Sequence, residues 1–154
     1  MTGPQPSTRL IIECATTHGP VDLVSCWSIG HGVDVATQVC AKEFADLVSI
    51  TVVIADDSEI HRLNRDYRGH DKPTDVLAFD LSEEDESCAG EVYIALGVAA
   101  EQATVWGATL EQELNRLMVH GILHLAGYDH DSDQALAEME NKTAMYTGQI
   151  HATT

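Results

Sequence analysis

The chain has 154 residues, of which 44% are hydrophobic and 21% charged, so it contains enough apolar material for one domain-sized core. It carries 25 acidic against 8 basic residues, a formal net charge of −17, which argues against a non-specific nucleic-acid binder. No stretch reaches the roughly 20 apolar residues of a membrane span, and the first residues lack the pattern of a secretory signal. These features predict a single cytoplasmic domain over residues 1–154, with flexible tails at 1–8 and 147–154.

Hydrophobic periodicity divides the chain into nine elements. In chain order they are a strand at 9–14, a helix at 33–47, a strand at 47–55, a helix at 59–67, strands at 75–81 and 90–96, and helices at 97–106, 110–125 and 133–145. Ile60, Leu63 and Tyr67 share one face of the 59–67 helix, and Thr109 with Gln112 predicts a capping box. Strands and helices mix without a strict βαβ alternation. We therefore predict an α+β domain whose small mixed four-stranded sheet packs with about five helices.

The densest chemical signal lies in residues 119–131, VHGILHLAGYDHD. His120 and His124 are four residues apart, which places both imidazoles on the same face of a helix. Gly127 ends that helix in a left-handed conformation, and the chain can then bring His130 back towards the pair. Three imidazoles at about 2.0–2.1 Å leave one corner of a zinc tetrahedron open, which is typical of a catalytic site. The sequence therefore predicts one zinc ion bound by the three histidines at the end of a central helix.

The histidine spacing can be compared with the H-E-x-x-H-x-x-G-x-x-H pattern of metzincin peptidases. Gly121 stands where those peptidases have the glutamate that takes a proton from the zinc-bound water. Peptide hydrolysis is therefore disfavoured. Packing of the histidines against a core is the simpler alternative, but three of them around a helix-ending glycine favour metal binding.

A second signal lies in residues 64–80, NRDYRGHDKPTDVLAFD. Half of the basic residues in the chain gather in or beside this segment, namely Arg62, Arg65, Arg68 and Lys72. Guanidinium groups bind phosphate through paired hydrogen bonds, so the cluster indicates a phosphate-bearing substrate. The alternative is a solvated helix end whose cations interact with the helix dipole.

Taken together, the two segments resemble the YbeY family of bacterial endoribonucleases. The resemblance covers roughly residues 50–130 and rests on three motifs: N-x-x-Y-R at 64–68, P-T-D-V-L-A-F at 73–79 and H-G-x-L-H-L-x-G-Y-D-H at 120–130. The chain departs from the family at Ala78, where serine is usual, and at residues 90–92, where Gly-Asp-Ile is common. Both changes are conservative and leave the predicted fold unchanged.

The resemblance implies a small α+β metalloprotein that acts as a single-strand-specific, metal-dependent endoribonuclease. It implies roles in ribosomal RNA maturation, at the 3′ end of 16S rRNA, and in ribosome quality control. His120, His124 and His130 match the family's metal ligands, for one zinc ion per chain, and Arg68 matches an arginine that would hold the scissile phosphate or stabilise charge on it. The implied partners are ribosomal RNA and the small ribosomal subunit or its associated proteins. The charge of −17 favours delivery of the RNA by a partner, or contact confined to one cleft.

Several alternatives stay open at this point. Zinc held by three histidines lowers the pKa of bound water toward about 7, and the resulting hydroxide can attack phosphorus or deprotonate the ribose 2′-OH. Two rival functions are a non-catalytic zinc-containing factor that binds RNA or ribosomes, and a zinc hydrolase acting on another substrate. Asp129 and Asp131 are either acceptors for a ligand N–H or caps, with capping favoured for Asp131. Asp75 either orients a ligand or ends the loop before its strand.

Overall fold

The computed structural model of the protein describes residues 9–16, 27, 31–44, 48–82, 89–129 and 131–148. The described residues form the following elements in chain order: β1 (Arg9–Ala15), α1 (His31–Glu43), β2 (Ser49–Ala55), α2 (Asp57–Arg68), β3 (Val76–Asp80), β4 (Ala89–Ala95), α3 (Leu96–Trp106), α4 (Leu110–Leu125) and α5 (Asp133–Thr147). Of the predicted tails, Thr147 ends α5 and Gly148 caps it, whereas residues 1–8 and 149–154 lie outside the described residues. None of the helices in the described ranges is long and apolar enough to cross a membrane.

The sheet is mixed, with the strand order β1–β2–β4–β3. β1, β2 and β4 are parallel, and β3 pairs antiparallel with β4. The β-branched run SITVVIA of β2 lies in the interior of the sheet and is largely buried, as expected for residues that pack well on a pleated surface. The predicted α+β architecture, a mixed four-stranded sheet with five helices, is confirmed.

Alternate side chains of β2 point into two different cores, because successive residues of a strand face opposite sides of a sheet. Ile50, Val52 and Ile54 belong to the larger core, which includes residues of α1, α3, α4 and α5. Val53 and Ala55 belong to the smaller core, which includes Ile60 and Leu63 of α2. The helix that carries the arginine cluster therefore lies on the opposite face of the sheet from α4.

α4 is buried along most of its length and carries two of the predicted metal ligands. The predicted capping box is confirmed: Gln112 N donates to Thr109 Oγ1 at 3.1 Å, and Thr109 N donates to Gln112 Oε1 at 2.9 Å. The fully buried Glu113 accepts hydrogen bonds from Arg116 at 2.7 and 2.8 Å. This pairing offsets the cost of burying a charge.

One local prediction is wrong. The helix predicted to end at residue 47 ends at Glu43; Phe44 packs against the larger core from outside the helix, and residues 45–47 are not among those described. Tyr67 shares a helix face with Ile60 and Leu63, but they are buried and it is 69% exposed. Tyr67 forms a T-shaped ring pair with Phe79, with centroids 6.0 Å apart. Whether Tyr67 is buried depends on which residues of the sheet lie opposite the last turn of α2. The hydrophobic periodicity of the helix does not contain that information.

Candidate metal and phosphate site

The two histidines of α4 lie side by side, as their spacing predicts. Their ring centroids are 4.9 Å apart and their planes are inclined by 70°. Both side chains are partly buried, because the neighbouring helix positions Gly121 and Leu125 pack into the protein. Two imidazoles fixed at this separation offer nitrogen donors of the type that zinc prefers.

The chain reverses directly after these histidines. Gly127 has φ of 104°, a region that L side chains rarely adopt, and this confirms the predicted helix-ending role of the glycine. Its N–H donates to the carbonyl of His124 at 3.1 Å, and the N–H of Tyr128 donates to the carbonyl of Leu123 at 3.0 Å. These bonds satisfy carbonyls that the helix end would otherwise leave unpaired.

The third predicted ligand, His130, lies outside the described residues. Among the residues that are described, no three His, Cys, Asp or Glu side chains are grouped so that they could hold a metal ion. The two imidazoles supply two nitrogen donors of the kind that a zinc site uses. The ligand set of His120, His124 and His130 stays a prediction.

Gly121 lies at a close approach of α4 to the sheet. A Cβ atom built on this glycine would lie 2.5 Å from Cγ1 and 3.1 Å from Cγ2 of Val92 on β4. Real Cβ atoms essentially never approach other atoms so closely, so any larger residue would push the helix away from the sheet. The position that carries the general-base glutamate in metzincin peptidases is thus directed into the core here, and the fold excludes a glutamate from it.

The acidic residues around the loop have local structural roles. The N–H of Asp131 donates to Oδ1 of Asp129 at 3.2 Å. The cap of α5 is Ser132, whose hydroxyl accepts from Ala135 N at 3.1 Å, so the prediction that Asp131 caps this helix is wrong. Serine at this position takes the capping role because its short side chain reaches the first-turn N–H groups. The Asp75 carbonyl accepts from Ala95 N at 2.9 Å, which supports its role at the start of β3.

The four clustered cations differ in their surroundings. Arg62 forms ion pairs with Glu59 at 2.5 Å and Asp66 at 3.4 Å, and Arg65 pairs with Asp66 at 2.9 Å. The hydrogen bond to Glu59 and the attraction of its charge raise the pKa of Arg62 above the ordinary arginine value. These ion pairs offset the positive charges of Arg62 and Arg65.

Arg68 is arranged differently, although it lies on the same helix. Its Nη2 donates to the carbonyl of Ala78 on β3, and its guanidinium carbon lies 4.9 Å from the centroid of the Phe79 ring. A cation over an aromatic face is held electrostatically. Within the described part of the chain Arg68 pairs with no carboxylate, so most of its N–H donors face solvent.

The backbone pairing of β3 explains why Arg68 can reach that carbonyl. Leu81 N donates to Ala89 O at 2.7 Å and Ala95 N donates to Asp75 O at 2.9 Å. In an antiparallel pair, hydrogen-bonded and non-hydrogen-bonded residues alternate, so the carbonyl of Ala78 points away from β4, towards the open edge of the sheet. Arg68 covers this edge. Ala78 is also the strand partner of Val92, on which Gly121 packs, so the arginine and the histidine helix flank the same stretch of β3 and β4.

Asn64 has a role that the motif did not reveal. Its side chain is buried, and its Nδ2 donates to the carbonyl of Lys72 at 2.9 Å. Its own carbonyl accepts from His70 N at 3.1 Å. The residue thereby ties the end of α2 to the loop that leads into β3. The only sequence signal for this was an asparagine at a helix position that otherwise faces the core.

The molecule thus combines an α+β fold with paired imidazoles on a buried helix and an arginine at the adjoining sheet edge, an arrangement suited to an enzyme acting on a phosphate ester. The sequence model of the endoribonuclease YbeY family matches residues 30–151. The protein named endoribonuclease YbeY from Thermotoga petrophila is 41% identical over 114 residues, covering 73% of this chain and 74% of the relative. That from Aquifex aeolicus is 46% identical over 100 residues, covering 61% and 67%.

A solved structure agrees with these sequence matches. The solution structure of TM1509 from Thermotoga maritima has a TM-score of 0.59 and 36% sequence identity, covering 89% of this chain and 87% of that one. The chain belongs to the endoribonuclease YbeY family. The resemblance inferred from the motifs is confirmed, and so is the prediction that the chain is an enzyme of an endoribonuclease family.

Proposed function

We propose that this protein is a single-strand-specific, metal-dependent endoribonuclease that binds one zinc ion through His120, His124 and His130 and holds the scissile phosphate with Arg68. We further propose that it acts in the cytoplasm on ribosomal RNA, at the 3′ end of 16S rRNA, and in ribosome quality control, as one metal-dependent hydrolase domain. The observation that carries the proposal is the contrast on α2: Arg62 and Arg65 are paired with carboxylates, whereas Arg68 extends to the sheet edge and pairs with none of the carboxylates that the structure describes.

Arg68 is suited to a phosphate for geometric reasons. A guanidinium has five N–H donors in a planar fork. One donor bonds to the Ala78 carbonyl, and the guanidinium carbon lies over the Phe79 ring, so the side chain is oriented before substrate arrives. The remaining donors can bind two oxygens of one phosphate. A preoriented charge of this kind stabilises the negative charge that develops on phosphorus oxygens during cleavage.

The histidines have the complementary task. Zinc, when bound, supplies a Lewis acid and a source of hydroxide near neutral pH. His120 and His124 hold their imidazoles at a fixed separation on a buried helix, which keeps the reacting centre at a constant position relative to the sheet. No glutamate base follows His120, since Gly121 faces Val92. This absence disfavours a peptidase and is compatible with phosphodiester cleavage.

The net charge of −17 fits a protein that meets RNA in a restricted place. The ion pairs of α2 cancel much of the local positive charge, so long-range attraction to RNA is weak. We therefore propose that the small ribosomal subunit or one of its associated proteins presents the RNA. The acidic surface then prevents indiscriminate binding to other RNA.

The test compares two arginines of the same helix. Purified wild-type protein, Arg68→Ala and Arg62→Ala are incubated with a single-stranded RNA, and the zinc content of each is measured. We expect Arg68→Ala to retain zinc but to cleave at least about 100-fold more slowly, the loss typical of one charge-stabilising donor. Arg62→Ala should remain within a few-fold of wild type, because its partners are Glu59 and Asp66.

Two outcomes would overturn the assignment. Equal losses in both variants would show that the arginines act only through net charge. RNA binding without cleavage by wild type, with binding weakened by Arg68→Ala, would favour the non-catalytic binding factor. Analysis of the product ends then separates the chemical routes, since a 2′,3′-cyclic phosphate on the upstream fragment indicates attack by the ribose 2′-OH.

A further inference from the structure

A buried carboxylate lies at the end of α1, close to the loop that follows the histidine helix. The side chain of Glu43 is 7% exposed. It accepts hydrogen bonds from the hydroxyl of Tyr128 at 2.8 Å and from the hydroxyl of Tyr146, and its Oε2 lies 3.3 Å from the ammonium of Lys142. One carboxylate thus joins α1, the loop and α5.

The donors keep this carboxylate ionised. Burial by itself would raise the pKa of Glu43, but the hydrogen bonds from Tyr146, Tyr128 and Lys142 outweigh it and hold the pKa below the ordinary glutamate value. Hydrogen bonds to an ionised acceptor are stronger than those between neutral groups. The cluster therefore acts as a firm anchor.

Tyr128 is the member of the cluster that belongs to the histidine motif. Its backbone N–H donates to Leu123 O at 3.0 Å, and its hydroxyl reaches across to α1. On the other side of the loop, Asp131 N is held by Asp129 and α5 begins at its Ser132 cap. The chain is therefore fixed at points on both sides of position 130.

We propose that Glu43 is a positioning residue for the metal site: through the hydroxyl of Tyr128 it holds the loop that presents His130 to the other two histidines. The proposal rests on the function proposed above, because it takes His130 as a ligand. Glu43 touches neither metal nor RNA. Its effect is to lower the conformational freedom that the loop must lose when the third ligand binds.

The expected effect of Glu43 on zinc affinity can be bounded. Outer-shell partners of metal ligands typically contribute about 10–100-fold to metal affinity. Glu43 acts through Tyr128 and the backbone rather than on a ligand ring, so we expect the lower end, an increase of about 10-fold in the zinc dissociation constant when the link is cut.

Two tyrosines give a matched pair of variants, because each donates one hydroxyl to the same carboxylate. Tyr128→Phe removes the link to the loop, whereas Tyr146→Phe removes one of the two links to α5 and leaves the loop attached. The zinc dissociation constant of each is measured by competition with a chromogenic chelator, and unfolding of the metal-free proteins is followed in urea. His124→Ala reports whether the zinc is bound at the proposed site.

We expect Tyr128→Phe to weaken zinc binding about 10-fold and Tyr146→Phe to leave it within about twofold, even where the two metal-free proteins unfold at similar urea concentrations. Glu43→Gln, which keeps the shape of the side chain, should resemble Tyr128→Phe. Equal zinc affinities in Tyr128→Phe and Tyr146→Phe would overturn the positioning role while the metal site stands. If wild type binds no zinc, or His124→Ala binds it equally well, the proposed function itself fails.

Discussion

The histidine end of α4 and the arginine end of α2 are both helix C-termini followed by a glycine with positive φ, yet they are built in different ways. The histidine end packs on the sheet at Gly121 and is tied through Tyr128 to Glu43. The arginine end is exposed and is oriented by one backbone carbonyl and one aromatic ring. The contrast has a physical reason. Metal coordination tolerates errors of only about 0.2 Å in ligand distance, whereas a guanidinium fork held by one carbonyl and one ring needs only to present its remaining donors to a phosphate.

The largest effect on zinc binding and RNA cleavage should come from a substitution at the histidine end of α4. In His124→Ala one donor of the paired imidazoles is lost, and we expect zinc binding to fall and RNA cleavage to drop to background, because an incomplete ligand set holds the ion weakly. Metal content and cleavage rate of the purified variant measure this outcome. Retention of both would show that the histidine pair is a packing feature.

His31→Ala is the matched control for this prediction. Trp27 packs against Gly32 at the start of α1 and donates to Asn115 of α4 at 2.5 Å. Asn115 lies nine residues before His124, about 13 Å along the helix at 1.5 Å per residue, so the start of α1 packs near the opposite end of α4 from the histidine pair. The side chain of His31 is exposed, and the variant should keep zinc and activity.

The second prediction concerns the close packing of the histidine end of α4 on the sheet. In Gly121→Ala the new methyl group meets Val92, and we expect the free energy of unfolding to fall by about 1–3 kcal/mol, as in other overpacked cores. Urea denaturation of the metal-free protein measures the change. Helix propensity alone favours alanine by about 1 kcal/mol, so a variant more stable than wild type would contradict the proposed clash.

A double variant sharpens this test. Val92→Ala removes the methyl groups that the alanine at position 121 would meet. The combined loss of stability in Gly121→Ala/Val92→Ala should be smaller than the sum of the two single losses, since residues in contact do not behave additively. Additive losses would place the cause elsewhere.

A smaller effect is expected at the arginine end. Asn64→Ala removes the hydrogen bond to the Lys72 carbonyl, which should cost about 0.5–1.5 kcal/mol of stability. Zinc affinity should be unchanged and RNA cleavage reduced, because the helix end that bears Arg68 loosens. Asn141→Ala, an exposed position on α5, is the control. A loss of zinc in Asn64→Ala would show that the two ends are more closely coupled than their structures indicate.

The smallest effect is a pH dependence of the stability of the metal-free protein, caused by the carboxylate of Glu43. The folded pKa of Glu43 lies below its ordinary value of 4.5, because the bonds from Tyr146, Tyr128 and Lys142 outweigh burial. The carboxylate therefore contributes stability above about pH 4.5, the unfolded value, and this contribution is lost as the pH falls through the folded pKa. Urea midpoints of metal-free wild type should drop over this range more steeply than those of Glu43→Gln. Parallel curves would exclude the carboxylate as the cause.

The sequence by itself determined the elements whose signals are local. The spacing of four between His120 and His124 placed both rings on one face of a helix, and the positive φ of Gly127 follows from a glycine at the helix end. The capping box of α4 and the buried β2 strand were likewise predictable, because hydrogen bonding at a helix start and side-chain alternation act over a few residues.

The tertiary structure decided what lies opposite each of these elements. The motif comparison showed that Gly121 stands where metzincin peptidases have a glutamate. Only the structure explains why a glycine is needed, because Val92 leaves no room for a Cβ atom there. Four clustered cations looked equivalent until ion pairs separated Arg62 and Arg65 from Arg68. Glu43 and Tyr128 are 85 residues apart, and no local signal joins them. Such contacts depend on the packing of α1 and α5 around α4, which is set by the whole core rather than by any one segment.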